Sequence, residues 1–252
     1  MAIQPLADRF RFKAAEELRH CAAELGLELP FSEDISPLLA PGRVAGRDVP
    51  NRIAAQPMEG CDGELNGAPA ELTWRRYTRI AEGGSGLIWV EATAAFGDGR
   101  ANPRQLWISD ATAGRFCELA AMIRESARAR FGASHVPYLV LQLTHSGRFS
   151  RTAAPGERKA ACHNPHLDRE PLPQWTDGEL ERVRDGFVGA ARLAAAAGFD
   201  AVDIKACHRY LISELLASHN REHSQYGGSF ENRTRFLHAR AHFLLWLRDV
   251  IG

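Results

Sequence analysis

The chain has 252 residues, 45% of them hydrophobic and 25% charged, enough apolar material for a core and enough charge for a soluble surface. Its 31 Lys and Arg balance 31 Asp and Glu, so charge gives no case for nucleic acid or an anionic membrane as a partner. No apolar run approaches the roughly 20 residues of a membrane span, and MAIQPLADRFRFK has no signal core, so a cytoplasmic protein is expected.

Cys21, Cys61, Cys117, Cys162 and Cys207 are scattered and odd in number, which argues against a disulfide framework and against a clustered metal or iron–sulfur centre. Taken in order, residues 11–27 read as an amphipathic helix carrying Phe12, Leu18, Cys21, Ala22 and Leu25. It belongs to a helical extension over residues 1–34, packed on the main domain or on a partner. Residues 35–49 are rich in Pro and Gly and suit a short hairpin. Residues 51–58 are the next landmark, where Pro57 has no N–H to give a ladder and would end a strand.

Glu71 to Ala81 reads as a helix closed by Gly83-Gly84, and Gly86 to Glu91 as a buried strand. Gly83-Gly84-Ser85-Gly86 precedes a strand instead of opening a helix, so it reads as a turn and not as a phosphate loop. Phe116, Leu119, Ala120, Ile123 and Ala127 mark a further helix, and Tyr138 to Leu143 a third strand. Residues 149–175 form a long polar loop. Thr176-Asp177-Gly178-Glu179 is a capping box opening a helix with Leu180, Val183, Phe187 and Leu193, closed by Gly198. Ala201 to Ile204 is the fourth strand, and Ser229 caps a last helix bearing Phe236, Phe243, Leu247 and Ile251. Four strand-then-helix units point to parallel α/β architecture.

The chemistry gathers after the fourth strand. Lys205, His208 and Tyr210 can donate or shuttle protons, and they follow the C-terminal end of a strand, where α/β proteins place active sites. The run His208, Tyr210, Tyr226-Gly227-Gly228-Ser229 and Glu231-Asn232-Arg233 resembles the old yellow enzyme family of FMN-dependent NAD(P)H oxidoreductases. Asn51 to Met58 resembles the family's first barrel strand, and Gln142-Leu143-Thr144-His145-Ser146-Gly147-Arg148 a further family segment. Lys205 stands where the family usually has a His, Arg209 where a Gly is common, and Glu59 about where it has a Cys or Thr.

The resemblance implies a (β/α)8 barrel of TIM type, with about the first four units in residues 35–252. It implies FMN as cofactor, lined by Pro57, Met58, Glu59, Ala92, Gln142 and Lys205, with NADH or NADPH as electron donor and no metal. It also implies a small electron-poor substrate such as an activated alkene, met by His208 as oxygen donor and Tyr210 as proton donor. Lys205 either pairs with Asp203 on the same strand face or serves as a donor to the substrate oxygen or to the flavin N1/O2 edge. Glu59 has the alternative of a solvated loop carboxylate, Cys61 that of a bystander thiol, and His145 that of a loop hydrogen bond. Two other readings stay open. One is a Schiff-base lyase built on Lys205. The other is a half-barrel subunit needing a partner, since open strand edges favour a homo-oligomer or other association.

Overall fold

In the computed structural model, residues 12–152, 158–168 and 170–238 are described. The chain divides into two compact units, Met1–Leu39 and Ala40–Gly252. The first holds helix α1 (Ala15–Glu24) and the single turn α2 (Ser36–Leu39). Helix α1 is shorter than the 11–27 read from the sequence; Ala22 is buried and Leu18 and Cys21 half-buried, but Leu25 lies past its end and is 68% exposed. Its end is closed by the Leu27 N–H on the Ala22 carbonyl at 2.8 Å and the Gly26 N–H on Ala23 at 3.0 Å, which satisfies two terminal carbonyls.

The second unit opens with the expected hairpin, β1 (Gly42–Val44) against β2 (Arg47–Val49). Ala45 and Gly46 both have positive φ, the turn that matches the twist of antiparallel strands. Then follow β3 (Ala54–Ala55), α3 (Glu71–Glu82), β4 (Leu87–Ala94), α4 (Ala113–Phe131) and β5 (Tyr138–Thr144). After a 3₁₀ turn at Gly147–Phe149 come α5 (Asp177–Ala196), β6 (Ala201–Ile204) and α6 (Leu211–Ala217), and residues 230–238 are helical. The Ser229 hydroxyl accepts from the Asn232 N–H at 3.3 Å at that last helix start. Phe243, Leu247 and Ile251 lie outside the described residues.

Strands β3-β4-β5-β6 form one parallel sheet in chain order, so each crossover returns beside the strand it left. One face packs Ile88, Val90, Leu139, Leu141 and Leu143 under Phe116, Leu119, Ile123, Leu180 and Phe187 of the helices. The other face begins with Leu87, Trp89, Tyr138, Val140 and Ala201, closed off by Val44 and Val49 of the hairpin. Asp200 fixes that closure: its carboxylate contacts Arg47 of β2 and accepts from Arg124 of α4 at 2.9 Å and the Leu139 N–H at 2.8 Å.

Two expectations need correction. The strand read across residues 51–58 shrinks to Ala54–Ala55, because Asn51 locks the neighbouring turn instead of extending the ladder. Its amide donates to the Gly84 carbonyl at 2.7 Å and accepts from the Gly86 N–H at 2.8 Å. That same bonding makes Gly83 to Gly86 the helix-to-strand turn predicted, with Gly84 at φ +83°. The second correction is α6, which the sequence reading passed over. Its Leu211, Ile212 and Leu215 are buried and join the main core.

Candidate active site

Lys205 continues the β6 ladder, its N–H donating to the Leu143 carbonyl at 3.0 Å. Alternation turns its side chain to the face opposite the helices, where it is buried. The ammonium contacts the Glu59 carboxylate and lies 4.7 Å from the Tyr210 ring centroid. His208 meets Tyr210 edge-on, with ring centroids 6.3 Å apart. Tyr210 therefore lies between the buried Lys205, paired with Glu59, and the exposed His208.

Asp203 is not the partner of Lys205. Strand register sets Gln142 directly opposite Asp203, and the Gln142 amide donates to that carboxylate at 2.6 Å. Glu59 follows β3 and Lys205 follows β6, the two outer strands of the sheet, so their contact requires a curled sheet with the cluster on its concave face. The half-turn that returns Tyr210 over Lys205 uses two successive left-handed residues, His208 at φ +59° and Arg209 at φ +58°.

The loop after β3 is held from below by Glu91, which is 1% exposed. Its carboxylate accepts from the Gly60 N–H at 2.7 Å and contacts Arg76, which also binds Asp62. Burial pushes the Glu91 carboxyl above the usual carboxylate range, and burial with the Glu91 charge pushes the Tyr77 phenol strongly up. Cys61, next to the cluster, has its thiol raised by burial and then by the Glu59 charge, so it stays a neutral thiol. Burial, with the Glu59 charge next in size, pushes the Tyr210 phenol up to about 12.

His145 takes the loop role. Its Nδ1 accepts from the Gly147 N–H at 3.1 Å, and its ring sits between Phe96 and Trp175. Burial lowers its pKa to about 4, so the ring is neutral. Among the described residues no hydrogen bond or ring contact joins Pro57 or Ala92 to the Lys205 cluster. Ala92 is fully buried in an irregular stretch of β4, its carbonyl accepting from Gln105 at 3.1 Å. Met58 is 73% exposed.

Sequence reading missed the arginines that fasten the long loop. Arg148 contacts Glu214 of α6 and Asp168 and donates to the Cys162 carbonyl at 2.8 Å. Arg221 donates to the Ala161 carbonyl at 2.7 Å and to Asp177 at 3.0 Å. No pattern in a single sequence separates such buried arginines from solvated ones. Among the described residues no group of three or more His, Cys, Asp and Glu is placed to hold a metal, and no helix is long and apolar enough to cross a membrane.

A family model for the NADH:flavin oxidoreductase / NADH oxidase family matches residues 37–240. An NADPH dehydrogenase of Geobacillus sp. (strain WCH70) is 36% identical over 205 residues, 79% of this chain and 57% of that protein. One from Bacillus subtilis (strain 168) is 32% identical over the same shares. The chain thus spans little more than half the length of these relatives. Among solved structures, the old yellow enzyme homologue from Zymomonas mobilis superposes with a TM-score of 0.64 at 27% identity, covering 79% of this chain and 57% of that one. The old yellow enzyme from Pichia sp. AKU4542 superposes at 0.68 with 21% identity, over 80% and 54%. Matched along most of its length by the family model, the chain belongs to the NADH:flavin oxidoreductase / NADH oxidase family, the FMN-dependent family of the old yellow enzymes.

Proposed function

We propose that this chain forms one side of an FMN site and carries the proton-handling groups of an NAD(P)H-dependent reductase of activated alkenes or related electron-poor acceptors. The observation that carries the reading is the meeting of Lys205, His208 and Tyr210 at the C-terminal rim of a parallel sheet. On this reading the curled sheet is part of a (β/α)8 barrel.

The residues present fit the ring end of FMN. The Gln142 amide nitrogen is bound to Asp203, which leaves its carbonyl oxygen as an acceptor, and Lys205 adds a cation in the same polar row. Met58, beside Glu59, leaves an apolar side chain open to cover. A flat group with an apolar body and a polar edge suits that combination. Gln142 and Lys205 would hold the polar edge, with Pro57 and Met58 toward the ring, whereas Ala92, fully buried, has no surface to offer it. FMN, when bound, supplies the hydride, taken from NADH or NADPH.

The chain's own residues handle the oxygen and the proton. Lys205 and His208 donate hydrogen bonds to the substrate oxygen as charge builds there. Tyr210 keeps its proton at neutral pH, held up to about 12, and can give it to the carbon beside the carbonyl. Burial of Lys205 keeps competing water from the ammonium.

Two measurements test the reading. FMN added to the purified chain should lose fluorescence as it binds; a well-folded chain that leaves it unquenched removes the proposal. Lys205→Met should lower NADPH-driven reduction of 2-cyclohexenone by about a hundredfold with an unchanged circular dichroism spectrum. Unchanged turnover removes the role of Lys205.

The length of the relatives and the two outer strands favour a second reading, in which FMN binds only after further β/α units complete the barrel by association. The Schiff-base reading is disfavoured, because it needs a free amine and the Lys205 Nζ lies against a carboxylate. Borohydride with a carbonyl substrate should leave Lys205 unmodified.

A further inference from the structure

Glu59 and Lys205 lie 146 residues apart in sequence, yet their side chains meet, that of Lys205 3% exposed and that of Glu59 20%. An ammonium has three donors. One faces Glu59, and the Tyr210 ring covers another side. Among the described residues Glu59 is the only hydrogen-bond acceptor of the ammonium. A buried ammonium under an aromatic ring is a seat for an oxyanion, and here a carboxylate of the chain already sits in it. Its attachment to a loop pinned by Glu91 gives it an effective concentration that a free anion does not match. Its charge also repels a second anion at contact distance. A neutral carbonyl or nitro oxygen meets neither obstacle, because it can take the remaining N–H direction with the ion pair intact.

We propose that Glu59 is a specificity-determining residue, a tethered carboxylate that fills the oxyanion seat beside Lys205 and Tyr210. It shuts out phenolates and carboxylates and leaves the seat open to neutral carbonyl and nitro acceptors. The choice of acceptor rests on the reductase reading, whereas the exclusion of anions belongs to the seat and reads out without FMN.

The probe is 4-nitrophenolate, whose visible absorbance shifts when it leaves water, titrated into the full chain. Glu59→Gln should bind it at least about tenfold more tightly than the unaltered protein, and Glu59→Gln with Lys205→Met should lose that gain. Equal affinity in the unaltered protein and Glu59→Gln, or a gain that survives Lys205→Met, overturns the proposal. Should Glu59→Gln fail to fold, Glu59→Asp reads the same competition. Its carboxylate is drawn back by one methylene and must admit the phenolate more tightly, and an unchanged affinity there also overturns the proposal. FMN binding is followed separately by flavin fluorescence. Its loss counts against the reductase reading and leaves the phenolate comparison intact.

Discussion

At positions 208 and 209 the backbone holds φ of +59° and +58° with His and Arg side chains, a conformation that costs L-residues about 1–2 kcal/mol each. That geometry brings Tyr210 over Lys205, so the strain sits at the proposed site. Arg209→Gly should remove the cost at one position, offset in part by the entropy of Gly, for a net gain of about 0.5–1 kcal/mol. Calorimetry should then show Tm rising by about 1–4 °C, and a fall would mean that the Arg209 side chain contributes more than its backbone costs. His145 makes a pH prediction. Its folded pKa of about 4 lies below the ordinary 6.5, so only the unfolded chain takes up a proton in that window. Stability is therefore full above 6.5 and falls as pH drops toward 4, by up to about 3 kcal/mol. Denaturant titrations from pH 7 to 4 check the slope, which His145→Gln should flatten. The gathering of Lys205, His208 and Tyr210 was legible because all three crowd one strand end. The partner of Lys205 was not. Asp203, two residues away, is claimed by Gln142 across the sheet, and only folding brings up Glu59.

Among the elements, α5 shows how local chemistry starts a helix. Thr176 accepts from the Glu179 N–H at 3.2 Å, and the Glu179 carboxylate accepts from the Thr176 N–H at 2.9 Å. Gly198 at φ +89° closes the other end, with its N–H on the Ala195 carbonyl at 2.9 Å. Thr176→Ala should cost about 1 kcal/mol, read as a lower midpoint in thermal unfolding followed by circular dichroism. An unchanged midpoint would place the stability of this helix in its buried face alone. Helices α3, α4 and α5 and strands β4, β5 and β6 were readable because apolar residues repeat at the helical period or run unbroken through a buried strand. Helix α6 is seven residues long, too short for a period to stand out, and its Tyr210 start has no side-chain cap. Strand β3 was overread because the resemblance carried a strand across residues 51–58, whereas the Asn51 side chain is spent on Gly84 and Gly86.

At the scale of the whole molecule, the sheet has two outer strands, β3 and β6, each with one neighbour among the described residues. Outer strands offer backbone donors and acceptors to any extended partner. Association that grows with protein concentration is the expected outcome in light scattering, and a monomer across the range would count against pairing at these edges. The parallel α/β architecture was legible from the alternation of strands and helices. The curl of the sheet was implied only by the resemblance to a barrel family, since it depends on twist accumulated over four strands and on a contact between residues 59 and 205. That curl carries its own gauge. Cys61 and Cys207 lie two residues past Glu59 and Lys205 respectively, and both thiols are free, Cys61 half-buried and Cys207 exposed. With the exposed Cys117 and the half-buried Cys21 replaced by serine, spin labels on this native pair would turn the bow of the sheet into a measurable length. The grip of one carboxylate on one ammonium could then be followed as a distance while ligands come and go.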